Sequence, residues 1–168
     1  MYTLIRVKEG NKKQKEVQKM KKMLVFDMDG TIANLYGVKN WLNDLRNEKV
    51  DPYVNAEPLY NMEEMANVLN SAKKNGWKVA VTTWLAKDAT KEYDKEVAKA
   101  KKEWLIKHNF PVDEIHCLKY GRTKANATRK KAEFQVLIDD NKKVRDGWTL
   151  GTTVNAKHDI MNFLRSLA

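Results

Sequence analysis

The chain has 168 residues, with 32 Lys and Arg against 22 Asp and Glu, a formal net charge of +10 and a hydrophobic content of 42%. That length and apolar content suit one globular domain with a small insertion, and exclude a wholly disordered chain. No apolar run approaches the roughly 18 residues needed to span a bilayer, and residues 1–13 lack the apolar stretch of a secretory leader. A single cysteine, Cys117, allows neither an intramolecular disulfide nor a cysteine zinc site, so a reducing, cytoplasmic setting is expected.

Taken in chain order, residues 1–22 come first as a basic arm. Arg6 and seven lysines (Lys8, Lys12, Lys13, Lys15, Lys19, Lys21, Lys22) face only Glu9 and Glu16, a net +6 that leaves +4 for the other 146 residues. Such an arm is either a solvated tail or a grip for polyanions working through counterion release. The core is expected over 23–168. Met23–Phe26 is a short apolar run ended by Asp27-Met-Asp-Gly30, the pattern of a buried strand entering a polar turn. Asn61 followed by Glu64 predicts a capped helix, with Met62, Met65, Val68, Leu69 and Ala72 on one face and Asn75-Gly76 as its stop. Lys78–Thr83 is the next predicted strand. A long helix is predicted from about Asp88 to His108, with Tyr93, Val97, Ala100, Trp104 and His108 on one stripe, ended by Pro111. Ile115–Leu118 and Phe134–Ile138 are two further strands, Leu150–Val154 a weak fifth, and Asp159–Leu167 a closing helix.

Strands alternating with helices predict an α/β fold: a doubly wound, mainly parallel, Rossmann-like sheet. Ligands of such sheets bind beyond the carboxyl ends of the strands, near the switch in strand order. Three strand ends are polar here: Asp27, Asp29 and Thr31 after the first, Thr82 and Thr83 at the second, Asp139 and Asp140 after the Phe134–Ile138 strand. Tyr120-Gly-Arg-Thr-Lys124 lies between the last two. If those strands are adjacent, four carboxylates meet at one edge, and carboxylates so crowded usually hold a cation. Oxygen ligands without His or Cys favour magnesium, which keeps waters and binds one or two carboxylates plus a phosphate oxygen. A lysine and threonine hydroxyls would hold the other phosphate oxygens. Asp27 and Asp29, two apart at a strand end, project to the same side. One carboxylate can attack phosphorus, and the other can protonate the departing alkoxide and later activate water. The lone calcium-loop alternative fails, because the twelfth position counted from Asp27 is Val38.

Phe26-Asp-Met-Asp-Gly-Thr-Ile32, Val79-Ala-Val-Thr-Thr83 and Val136-Leu-Ile-Asp-Asp140 resemble the first, second and fourth motifs of the haloacid dehalogenase-like (HAD) phosphohydrolases. Tyr120–Lys124 resembles the Tyr-Gly-Thr-x-Lys pattern of the phage-type 5′-nucleotidase and 5′(3′)-deoxyribonucleotidase members, with Arg122 as an extra residue. The resemblance implies Asp27 as nucleophile, Asp29 as general acid/base, Thr82 and Thr83 as phosphate contacts, and Lys124 as the stabilising lysine. It also implies Mg2+ held by Asp27, the Asp29 backbone carbonyl and Asp139, with Asp140 assisting. Lys130 and Lys131, nearer Asp139 in sequence, are the alternatives to Lys124. His108, His116 and Cys117 are expected to be packed or surface residues.

Asp29 and Thr82 are separated by 52 residues, more than one crossover helix requires. About 34–59, holding Tyr36, Trp41, Leu42, Tyr53 and Pro58, is expected to form a small helical cap. Its aromatics either stack on a nucleobase or pack the cap on the core. Trp41, Trp84 and Lys87 are the candidate substrate contacts. The expected activity is a magnesium-dependent phosphomonoesterase acting on a small phosphorylated substrate, a 5′-nucleotide or deoxynucleotide. The alternatives are a phosphatase of polynucleotide ends, with nucleic acid held by the arm, and a non-catalytic nucleic-acid-binding module on the same fold. No membrane partner is expected.

Overall fold

The computed structural model describes residues 19–168, so most of the basic arm expected over 1–22 lies outside the described residues. In chain order, β1 (Lys22–Phe26) runs through a tight turn into a two-stranded ribbon, β2 (Ala33–Asn34) and β3 (Glu57–Pro58), which brackets α1 (Trp41–Arg46) and α2 (Asp51–Asn55). Then follow α3 (Met62–Lys74), β4 (Trp77–Trp84), α4 (Lys91–Lys107), β5 (Glu114–Leu118), α5 (Ala125–Thr128), β6 (Phe134–Asp139), α6 (Lys142–Asp146), β7 (Gly151–Asn155) and α7 (Ile160–Arg165). Among these, no helix is long and apolar enough to cross a membrane.

Five strands form one parallel sheet in the order β5-β4-β1-β6-β7. The chain leaves β1 for β4 and β5 on one side, then returns to place β6 and β7 on the other. This reversal is the doubly wound pattern, and it puts the crevice above the ends of β4, β1 and β6. The sheet's two faces follow from strand alternation. Leu24, Phe26, Val79, Val81, Val136 and Ile138 pack on one face with Met65, Leu69 and Ala72 of α3, Trp104 and Leu105 of α4, and Ile160 and Leu164 of α7. Met23, Val25, Ala80 and Leu137 face the other side, against Ala125 of α5 and Trp148.

Local signals account for most boundaries. The Asn61 side chain accepts from the Glu64 backbone N–H at 3.1 Å, and Gly76 ends the element with φ +89°. The long helix starts at Lys91, not at Asp88. Asp88 adopts φ +54° in a turn, and Thr90 supplies the cap, its Oγ1 accepting from the Tyr93 N–H at 3.2 Å.

The segment between β2 and β3 is fastened to the amino end of α4. Glu48 accepts from the Thr90 backbone N–H at 2.8 Å and from the Thr90 hydroxyl at 2.9 Å, and the Tyr93 hydroxyl donates to the Lys49 carbonyl at 2.7 Å. Leu35 and Tyr53 are buried with Leu85, Tyr93, Val97 and Ala100, a small apolar cluster beside the main core. The segment thus forms a lid over the crevice.

Candidate functional site

Register determines which polar residues meet. Phe26 pairs with Val81 on one side and Ile138 on the other, so Asp27, Thr82 and Asp139 stand side by side one step beyond. Each is in phase with Val25, Ala80 and Leu137, so all three belong to the face covered by α5. Lys124, the residue before α5, reaches this row and is 4% exposed. Its ammonium donates to Asp27 Oδ1 at 2.5 Å and to Asp139 Oδ2 at 2.7 Å. Thr31 adds a second tie, with its hydroxyl donating to Asp27 Oδ2 at 3.2 Å and accepting from the Asp140 backbone N–H at 3.2 Å. Gly30 makes the turn possible. It sits at φ +77°, and a Cβ there would fall 2.6 Å from the Tyr36 ring and 2.7 Å from Asp140 Oδ2.

The electrostatics are those of charge held out of water. Burial pushes the Asp139 carboxyl up to about 6, reinforced by Asp27 and opposed by Lys124. Burial, then the Asp27 charge, also raises Asp140. Burial disfavours the Lys124 ammonium, but Asp27 and Asp139 outweigh it and hold that group above its usual value. Carboxylate oxygens of Asp27, Asp139 and Asp140 lie within 4.8 Å of one another. This all-oxygen donor set fits a hard divalent cation such as magnesium and does not fit zinc. The Asp29 carboxylate stands outside that set, so its side chain is not one of the clustered donors.

Beyond the strand ends lies a cavity of about 540 Å³, within the range of small-molecule sites. Asp27, Asp29, Lys124, Asp139 and Asp140 line it, as do Trp41, Trp84 and Lys87. Two aromatic pairs edge it: Tyr36 with Trp41 on the lid, ring centroids 5.0 Å apart, and Trp84 with Tyr120 on the core, 5.1 Å apart. The Trp84 indole N–H donates to the Arg122 carbonyl at 2.8 Å, and its ring lies 5.2 Å from the Lys124 ammonium.

The two threonines part company. Thr82 Oγ1 is buried beside Asp27, with no hydrogen-bond partner among the described residues. Thr83, one residue on, turns to the opposite face, where its hydroxyl accepts from Lys101 at 2.9 Å. Lys130 and Lys131 are exposed and stand away from Asp27 and Asp139; Lys131 lies 3.8 Å from Glu114 of β5. His116 Nε2 pairs with that same Glu114 at 2.9 Å.

One residue escaped the sequence reading. Lys101 of α4 is completely buried, and its ammonium bonds both the Thr83 hydroxyl and Asp29 Oδ2. Its spacing carried the signal: Lys101 is four residues after Val97 and three before Trp104, on the apolar stripe itself.

No protein-family model and no curated protein matches the sequence. Among solved structures, the chain is similar to D,D-heptose 1,7-bisphosphate phosphatase from Burkholderia thailandensis, with 13% identity and a TM-score of 0.51, covering 86% of this chain and 99% of that one. It is also similar to a protein from Mesorhizobium loti assigned as a HAD-like phosphatase, with 13% identity and a TM-score of 0.52, covering 89% of this chain and 88% of that one. At such identity the likeness is one of architecture: the chain shares the mainly parallel, Rossmann-like α/β fold of these two proteins.

Proposed function

We propose that the protein is a magnesium-dependent phosphomonoesterase that forms an aspartyl-phosphate on Asp27. One observation carries this reading: Asp27, Thr82 and Asp139 share one sheet face, with the two carboxylates lining the cavity and the Lys124 ammonium bridging them. Asp27, Asp139 and Asp140 would hold Mg2+, which supplies charge to offset that of the phosphoryl oxygens. Lys124 and the unpartnered Thr82 hydroxyl bind those oxygens and orient phosphorus toward Asp27. The Asp27 carboxylate attacks phosphorus as the ester P–O bond breaks, and Asp29 delivers its proton to the departing alkoxide. Asp29 then takes a proton from water as that water attacks the aspartyl-phosphate. Inorganic phosphate leaves and Asp27 is restored. Burial, partly countered by Lys101, holds the Asp29 carboxyl above the usual carboxylate range, as an acid in this role needs.

The substrate class proposed is a 5′-nucleotide or deoxynucleotide. The volume of the cavity and the aromatic pair Tyr36 and Trp41 that the lid sets at its edge support a leaving group carrying a planar base. Phosphate release from mononucleotides, sugar phosphates and 5′-phosphorylated oligonucleotides, with magnesium and with chelator, tests the reading. Magnesium-dependent release, best on mononucleotides, is expected. Preference for sugar phosphates removes the nucleotide class, preference for oligonucleotides with steep salt dependence moves the substrate to strand ends, and no release from any ester removes the hydrolase. Asp27→Asn is expected to lower turnover on the order of 10⁴-fold or more with circular dichroism unchanged. Retained activity would eliminate the covalent route.

A further inference from the structure

Asp29 is held by a residue belonging to none of the four sequence motifs. Lys101 comes from the middle of α4, 72 positions away in sequence, and has no solvent exposure at all. A buried ammonium without partners would lose its proton or stay in water, so its surroundings state what it is for. It has three. Asp29 Oδ2 takes one N–H, the Thr83 hydroxyl takes another at 2.9 Å, and the Tyr53 ring of the lid lies 4.8 Å from the nitrogen. The lid, the helix and β4 thus converge on one atom, and that atom grips one oxygen of one carboxyl.

We infer that Lys101 is the positioning residue for the acid/base carboxyl of Asp29. Resting on the phosphatase reading above, this assigns the two Asp29 oxygens different duties. Oδ2 is tied to Lys101, so Oδ1 is the oxygen that gives the proton to the leaving group and takes one from water. Thr83 then serves the reaction by holding Lys101, and not by binding phosphate. Tyr53 ties the same arrangement to the docked lid.

A residue that merely fills space would slow every substrate alike, whereas one that aims a general acid matters only where a proton must be delivered. The comparison is therefore kcat/KM, which reports steps up to departure of the leaving group, for two esters in the full chain with saturating magnesium. A nucleoside 5′-phosphate releases a basic alkoxide that must be protonated; p-nitrophenyl phosphate releases a phenolate that need not be. Lys101→Met is expected to lower kcat/KM on the order of 10²-fold for the alkyl ester and less than about tenfold for the aryl ester. Thr83→Val, which keeps the shape and removes the hydroxyl, is expected to shift the ratio in the same direction by less, and it decides the matter if Lys101→Met is unfolded by circular dichroism. Equal losses on both esters in the folded variants overturn the inference and leave the hydrolase reading standing. A wild-type chain that cleaves neither ester takes both away.

Discussion

Two buried lysines hold three carboxylates from opposite sides of one sheet. Lys124 bridges Asp27 and Asp139 on the face covered by α5, while Lys101 joins Asp29 to Thr83 on the side of α4. Among the described residues, Lys124 is the only cation bonded to two acids that already repel each other, and it sits beside the three carboxylates that could hold a divalent ion. Lys101 compensates a single acid and leans on a hydroxyl and an aromatic ring. The difference teaches that burial alone does not tell what a lysine does: the first belongs to the anion-binding row, the second to the scaffold of one carboxyl. Both pairs cost desolvation, and breaking either leaves an uncompensated buried charge.

The largest effect that can break this comparison comes from Lys124→Met. With its ammonium gone, Asp27 and Asp139 confront each other in a largely buried site, where the lysine side chain is 3% exposed and that of Asp139 1%. Loss of one buried partner predicts a destabilisation of about 3–5 kcal/mol in metal-free protein. Turnover should fall on the order of 10²- to 10³-fold, the scale of losing one donor to a transition-state oxyanion. Denaturant unfolding in chelator reads the first, and phosphate release the second. Stability equal to wild type would mean that Lys124 does not bridge the two acids in solution.

Magnesium sharpens the same contrast with a smaller effect. A cation among Asp27, Asp139 and Asp140 replaces part of what Lys124 supplies, so it should restore stability to Lys124→Met and leave Lys101→Met little changed beyond the wild-type gain. At a hundred times its dissociation constant it would add about 2.7 kcal/mol to wild type, roughly 5–11 °C in Tm for a chain of this size. The sign with pH follows from Asp139. Its folded value of about 6 lies above the ordinary value near 4, so the folded state binds the extra proton. Its contribution is fully present below pH 4 and is lost as pH rises through 6. Magnesium needs the ionised form, and its Tm shift should be larger at pH 7 than at pH 5. A shift independent of pH would remove Asp139 from the ligand set.

What was legible in the sequence divides along the same line. The strand ends announced themselves, because an apolar run closing on Asp27 or Asp139 is a local pattern. Which threonine joins them was not, because it depends on register between β1 and β4: Thr82 falls in phase with Val25 and Ala80, and Thr83 falls with Phe26 and Val81. Lys101 was hidden by its neighbours. Lys91, Lys95, Lys99, Lys102 and Lys107 share its helix, and six lysines on an amphipathic element look like one solvated face. Only its place between Val97 and Trp104 on the apolar stripe set it apart, and its partner Asp29 is too distant for any local rule to find. The start of α4 was misplaced for the opposite reason: the positive φ of Asp88 is a loop conformation that hydrophobic periodicity does not register.

The smallest effect tests whether Trp84 belongs with Lys124 or with the substrate. Its indole N–H fixes the Arg122 carbonyl, in the loop that delivers Lys124, and its ring lies beside that ammonium. Trp84→Phe keeps a ring and removes the hydrogen bond, a loss of about 1 kcal/mol. If the residue's work is to hold the loop, unfolding free energy should drop by that amount and kcat/KM should fall by a similar small factor for aryl and nucleoside phosphates alike. If its work is to stack on a base, the loss should appear in KM for nucleotides and be absent for p-nitrophenyl phosphate. Trp84 and Tyr120 are already paired at 5.1 Å and Lys124 already occupies the neighbourhood of the Trp84 ring, so the uniform outcome is the one the geometry favours.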